Sequence, residues 1–480
     1  MTPSTIWNGF EPTLTMWWTV MSYQQMCYWP TTTPVCRSPE EPPTYRYFGI
    51  RTDYCELTGL CTDHADPVLI KGCKPILFFM FKRHAARYPE EDDPKNFQQD
   101  LPRLRDSIVK AHEKNETILC RRIIEALKKW RYDYNDTQAG HITPVGKNTA
   151  ALIGKRYQKR FPTLLPRHFS SADYHVEFTS RIRTQQTAEA FMNAIIDKQG
   201  NQTTADWGQP NDDLVQFHQN CNKRLKNFTG YKKETLREKK VFLDTPTVRT
   251  LLRVISRRVG FNVTFDDVRA MVKYCSFETS LHKTTPFCAL FKSEDLKIFE
   301  VVDDINDYYR DAFALRRNYE QTCPMVRELW NRLAISAEYY SKTRNQRMRP
   351  PKAVLYFSHG GGFKKLVARL GLFKDYQNMK GSDYCYLKRH RKWRSSLVNP
   401  FSANLAFVLF KCRDKFHVLS YLHEKPVIIQ GCQAYLCPLS EFLSSPAVRQ
   451  AQYNCDMEKI CVPTPHEGGY QNTYQRQTPE

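Results

Sequence analysis

The residues of this sequence that could do chemistry gather in three short segments. The first is Phe81-Lys82-Arg83-His84-Ala85-Ala86-Arg87-Tyr88-Pro89, where an apolar run delivers two arginines and a histidine into a loop. Two guanidinium groups can grip one tetrahedral oxyanion in fork geometry and neutralise charge that develops on it. A histidine between them can attack phosphorus and divide a hydrolysis into two easier steps. In a basic chain the same cluster also arises as a solvated surface patch, and so short a motif does not separate the two. The second segment is Val354-Leu355-Tyr356-Phe357-Ser358-His359-Gly360-Gly361-Gly362, running on into Phe363 and Lys364. Glycines at a helix start expose backbone N–H groups and a partial positive charge, which together seat an anion. The run is not a lipase oxyanion hole, because no G-x-S-x-G supplies a nucleophile. Nor is it a G-x-x-x-x-G-K-[ST] phosphate loop. The third segment, Phe178 to Phe191, puts Arg183 at the entry of an amphipathic helix, where a third phosphate clamp would sit. A lone arginine is more often solvated.

Each segment reads as strand, polar loop, then helix. Pro75 to Phe81 is apolar throughout, as a strand buried on both faces would be. Helical patterns follow from about Leu101 to Trp130 and from about Thr149 to Phe161. Tyr174 to Thr179 has strand character, and Thr184 to Ile196 reads as the next helix. From about 210 to 342 the period is helical. Thr247 and Gly260 bound one helix there, Thr264 and Ser293 stand where caps are needed, and Pro324 starts the last. Strand signals return at Ala353–Phe357, Ala406–Phe410 and His417–Leu422. The pattern predicts an α/β core interrupted by a large all-α insertion. The expected divisions are an irregular arm over 1–45, a discontinuous core over 46–200 and 345–450, a helical cap over 201–344 and a tail over 451–480. Ligands of such sheets collect at the carboxyl ends of the strands, where all three segments emerge.

Seventy-one basic against 50 acidic residues give a formal charge of +21, a field that favours polyanions. No zinc-finger spacing and no glycine–aromatic run of an RNA-binding sheet is present, so nucleic acid is not the expected partner. The longest apolar runs are strand-length, far short of the roughly 18 to 20 residues of a membrane span. Sixteen cysteines and five sequons, at Asn115, Asn135, Asn201, Asn227 and Asn262, argue together for disulfides, glycans and a secreted or lumenal location. No C-x-x-C and no H-E-x-x-H occurs, and no metal site is expected. Met16 to Met21 makes a poor apolar core for an export signal, so export would need another start or an atypical signal.

In this order and spacing the three segments resemble the histidine acid phosphatases, most closely their multiple inositol polyphosphate phosphatase branch. The likeness covers about residues 45–445. It includes Leu127–Trp130, Thr143-Pro144-Val145-Gly146, Arg160-Phe161-Pro162, Thr285 to Phe291, Arg391-Lys392-Trp393-Arg394 and Asn399 to Asn404. The resemblance implies a six-stranded-type α/β domain with a helical cap and the substrate between them. It implies His84 as nucleophile, with Arg83, Arg87, Arg183 and His359 around the transferred phosphate of an inositol polyphosphate. It also implies the pairs Cys73–Cys412, Cys275–Cys288 and Cys432–Cys437. The hydrolysis expected of it uses no metal and no cofactor.

The departures carry as much weight. The family pattern after the second histidine is His-Ala-Glu, whose glutamate protonates the leaving oxygen; the matching residue is Gly361. Ala85 stands where the family has glycine, and Ala312-Phe313-Ala314 where it has Gly-Tyr-Gly. A positioned acid is worth roughly 10²–10⁴ in rate, so its loss should spare binding and slow turnover. Glu90, Glu91, Asp92 and Asp93, just past the first segment, are acids that could replace it. Two readings therefore stay open: a phosphatase with a weakened or altered donor, and a non-catalytic relative that binds phosphorylated ligands. A third is a basic matrix protein whose surface holds a polyanion such as glycosaminoglycan.

Overall fold

The computed structural model describes residues 45–90, 92–134, 136–197, 208–219, 221, 230–341 and 349–461. Its strands are β1 (Cys73–Arg83), β2 (Tyr174–Phe178), β3 (Gln209–Pro210), β4 (Ala353–Ser358), β5 (Asn404–Cys412), β6 (Lys415–Leu422), β7 (Lys425–Pro426) and β8 (Leu436–Pro438). They form one sheet in the order β3-β2-β4-β1-β5-β6-β7, with β8 paired to β6. β2, β4 and β1 run parallel, and β5 then turns antiparallel to β1. The eight described strands exceed the six-stranded expectation, through the short additions β3, β7 and β8.

β4 is buried at every position and β1 from Ile76 to Arg83, which explains their unbroken apolar runs. Phe78, Met80, Leu355 and Phe357 face one core with the helices Pro144–Arg160 and Ile182–Ile195. Phe79, Phe81, Val354 and Tyr356 face the other, which continues into the helices between 230 and 341. Register makes the strand ends level: Arg83 pairs with Ser358 across β1 and β4, and Phe178 with Phe357 across β2 and β4. The residues that follow each strand therefore leave the sheet along one rim.

Several local expectations shift. The helical stretch after β1 is two helices, Asp92–Glu113 and Arg121–Lys129, parted by a turn in which Asn115 takes φ 60°. Thr245 rather than Thr247 caps Pro246–Val259, because its hydroxyl reaches the Val248 N–H while Pro246 fills the first turn; Gly260 closes the helix at φ 87°. Thr264 and Asp267 form a reciprocal capping box. Ser293 is the first helical residue rather than the cap; Asp295 accepts from the backbone N–H of Lys292 instead. β3 lies inside the 201–344 span expected to be a helical cap, since Gln209 and Pro210 extend the sheet beside β2.

Covalent links tie distant stretches together. Cys73 is bonded to Cys412 across β1 and β5, Cys275 to Cys288, and Cys432 to Cys437. Cys55–Cys61, Cys221–Cys461 and Cys323–Cys455 are further pairs. The last two fasten the helices Pro446–Tyr453 and Met457–Cys461 to the helical region, so residues 451–461 are anchored structure rather than tail.

Candidate active site

The site begins with how β1 ends. Arg83 N–H donates to Ala403 O, His84 N–H to Ser358 O, and Ser402 N–H to His84 O, so the loop is pinned between β4 and the entry to β5. Beneath it, Thr143 caps Pro144–Arg160 and its own N–H donates to Ala86 O at 2.9 Å. Gly146 follows because nothing else fits: a β-carbon there would lie 2.2 Å from Ala86 O. The Thr143-Pro144-Val145-Gly146 motif is thus the floor under the loop that carries His84.

His84 is buried, and its Nδ1 lies 2.9 Å from Ala85 O. That contact makes Nδ1 the protonated nitrogen and leaves the lone pair on Nε2. Burial, with Arg83 and Arg183 adding to it, holds the imidazole pKa well below its usual value, so the ring is neutral. Arg83 donates from Nη1 to Ile50 O and Asn399 O, and its guanidinium stands 4.7 Å over the Phe401 ring. Burial and then Arg87 lower its pKa to about 9. The Asn399-Pro400-Phe401 segment is therefore the seat of Arg83. Arg83 Nε and Arg183 Nε are buried without a hydrogen-bond partner among the described residues.

His359 follows β4 as the N-cap of the helix Gly360–Arg369. Its Nε2 is 2.9 Å from the Thr179 hydroxyl, its Nδ1 has no partner among the described residues, and its ring centroid is 5.7 Å from that of His84. Burial, with Arg183 and His218 next, pushes its pKa well down. Arg183 sits one residue inside Ile182–Ile195, and Glu90 bridges it to Arg87 at 3.5 and 2.9 Å. Arg83, His84, Arg87, Arg183 and His359 accordingly line a single cavity of about 680 Å³.

The same cavity collects residues that no motif singled out. Lys364 and Lys365 point in from the helix that begins at Gly360, and Arg310 and Asp311 from the end of Ser293–Asp311. Lys364 pairs with Asp307 and Asp311, and Lys365 with Asp311. Although burial opposes it, Lys364, Lys365 and Arg310 hold the Asp311 carboxyl well below the usual carboxylate range. With Arg317, seven basic side chains face two acidic ones, Glu90 and Asp311. The helix bearing Arg310 is braced from behind: Arg391 binds Glu300 and Asp304, and Arg394 binds Glu300, which is where the Arg391-Lys392-Trp393-Arg394 motif goes.

Gly361 lines the cavity, and the space beside it is filled. A β-carbon at Gly361 would stand 3.0 Å from His218 Cδ2, and one at Gly362 would stand 3.2 Å from His218 Nδ1. His218 had no legible signal, being an isolated imidazole in a polar stretch with no spacing to any other motif. Glu90 lies in the site, engaged by both arginines; Glu91 lies outside the described residues, as do the side chains of Asp92 and Asp93. Ala85 is fully buried, its N–H held by the Thr187 hydroxyl, so the loop accommodates the extra methyl. Ala312 is buried and Phe313 meets Trp393 edge-on at 5.8 Å, behind the cavity wall.

A family model described as "Histidine phosphatase superfamily (branch 2)" matches residues 79–423. The multiple inositol polyphosphate phosphatase 1 of Drosophila melanogaster is 28% identical over 418 residues, covering 83% of this chain and 84% of that protein. Its namesake in Homo sapiens is 26% identical over 421 residues, covering 81% and 83%. Among solved structures, the apo multiple inositol polyphosphate phosphatase of Bifidobacterium longum superposes with a TM-score of 0.64. It shares 14% identity and covers 83% of this chain and 97% of that one. The phytase from D. castellii gives 0.63 at 17% identity over 87% of each chain. These two likenesses establish the fold.

Proposed function

The chain belongs to the histidine phosphatase superfamily, branch 2, and from that premise we propose that it hydrolyses phosphomonoesters of inositol polyphosphates through a phosphohistidine on His84. The observation that carries this is His84 itself: neutral, tied at Nδ1, with Nε2 unprotonated inside a cavity of seven basic side chains. In this reading Arg83, Arg87 and Arg183 grip the phosphate to be transferred, and His359 contacts it beside them. Nε2 attacks phosphorus; the N–P bond forms as the ester P–O bond breaks. Water then attacks the phosphohistidine and releases inorganic phosphate. Lys364, Lys365, Arg310 and Arg317 add four more basic side chains to the same cavity, which supports a polyphosphorylated substrate over a simple monoester. The relatives named for inositol polyphosphates support the same choice.

Phosphate release from inositol hexakisphosphate tests the reading. Release that vanishes in His84→Ala, while the variant still binds inositol hexasulfate, is the expected outcome. One observation favours a second reading: Gly361 puts no carboxylate into the cavity. If the parent binds inositol hexasulfate yet releases no phosphate, the protein is a binding module, and Arg83→Ala and Arg183→Ala should each abolish that binding. The disulfides support a secreted or lumenal location, and the exposed Asn115 and Asn262 suit glycan attachment. Asn135, Asn201 and Asn227 lie outside the described residues.

A further inference from the structure

An inositol alkoxide is a poor leaving group and needs a proton as its bond to phosphorus breaks. The groups around the cavity that could serve as the acid are few, and most are engaged. Glu90 is held by Arg87 and Arg183. Asp311 is paired with both Lys364 and Lys365, and Lys365 also donates to Arg310 O. His84 is the attacking group and His359 has one nitrogen on Thr179. His218 forms no ion pair among the described residues, and the phosphohistidine reading gives it no other role. Its ring is half-buried in the lining, with its centroid 5.8 Å from that of His359, and its Nδ1 is a buried atom that meets no partner among the described residues.

Its placement is built rather than incidental. Asn211 caps the short helix Asp212–Val215, and Asp212 accepts from both the Ser180 N–H and the Ser180 hydroxyl just past β2. The Ser358 hydroxyl donates to Val215 O, and Phe217 packs against Phe81 at 5.9 Å. Three strand ends thus hold the turn Phe217–Gln219, and Cys221 is locked to Cys461 just beyond it. The ring comes to rest against Gly361 and Gly362, in space that any side chain at Gly361 would need.

We propose that His218 is the acid that protonates the leaving oxygen, occupying from another segment the space that Gly361 leaves open. The proposal rests on the phosphohistidine reading. In the first step the His218 ring proton passes to the ester oxygen as that oxygen leaves phosphorus. In the second, water attacks the phosphohistidine and gives its proton to the now neutral His218, restoring the acid. Burial lowers the His218 pKa to about 4, with Lys365 adding to it, Asp311 opposing it, and Lys364 and Arg310 adding further. A polyanionic ester in the cavity brings negative charge to the ring and raises that value.

The test compares leaving groups. Inositol hexakisphosphate needs the acid, whereas p-nitrophenyl phosphate releases a stabilised phenolate that does not. H218N should lower kcat for inositol hexakisphosphate by about 10²-fold, and for p-nitrophenyl phosphate by no more than about a tenth of that factor. The nitrophenyl reaction shows that the variant is folded; should H218N fail to fold, H218Q is read the same way. An equal loss on both substrates overturns the proposal, as does no loss on inositol hexakisphosphate; in either case the phosphohistidine reading survives if H84A abolishes both reactions. A parent that hydrolyses neither substrate overturns both.

Discussion

Protonation at single residues decides what this cavity can do. In the proposed hydrolysis His84 must be neutral to attack, and burial among arginines favours that form by moving its pKa down from the ordinary histidine value. The same physics has a stability consequence at His423, buried with Nε2 donating to Leu397 O. Burial lowers its pKa to about 4, against about 6.5 in an unfolded chain. Between those values the unfolded state binds the extra proton, so the native state loses stability as pH falls from 6.5 to 4, by an amount on the order of 3 kcal/mol. His423→Gln should therefore show a smaller drop in Tm over that window than the parent, measured by thermal melts at each pH. Gly361 illustrates how space and chemistry are coupled. Because its missing side chain is replaced by the ring of His218, Gly361→Glu would have to displace that ring rather than fill a void.

At the scale of elements, the site depends on one helix that contributes no residue to the cavity lining. The helix Pro144–Arg160 presses Gly146 against the Ala86 carbonyl, so Gly146→Ala cannot be accommodated without moving the loop that aims His84. Its expected cost is about 1–3 kcal/mol of stability, the range for overpacking, together with a loss of phosphate release larger than the loss of inositol hexasulfate binding. Denaturant melts and a binding titration on the same preparation check it. The other end of that helix is anchored by Glu424, buried between Arg156 and Arg160 and accepting from the Tyr54 hydroxyl. Such a pair is costly to break from one side only, which makes it a locating device for the helix as much as a source of stability.

For the molecule as a whole, the long-range disulfides close loops of 339, 240 and 132 residues. Restricting the unfolded chain across a loop of such length is worth roughly 4–5 kcal/mol. Cys221→Ser with Cys461→Ser should lower the denaturant midpoint accordingly. It should also slow release from inositol hexakisphosphate more than from p-nitrophenyl phosphate, because the link holds the turn carrying His218. Among the described residues no helix is long and apolar enough to cross a membrane.

Much of this was legible in order along the chain. β1 and β4 announce themselves as apolar runs because strands covered on both faces have no polar side to show, and β2 by the alternation of Tyr174, Val176 and Phe178 with His175 and Glu177. Arg83 at the end of β1, and His84, Arg183 and His359 beyond the strands, could be picked out because parallel strands send their next residues to one rim. What the chain could not announce was His218. It owes its position to Phe217 packing on Phe81, to Asp212 binding Ser180, and to glycines that let a ring approach a helix start. Those are contacts between residues tens to hundreds of positions apart, and no local period encodes them. Local patterning determined which segments are strands and which loops carry the arginines and imidazoles. Only three-dimensional packing decided which side chain fills the space left by a glycine.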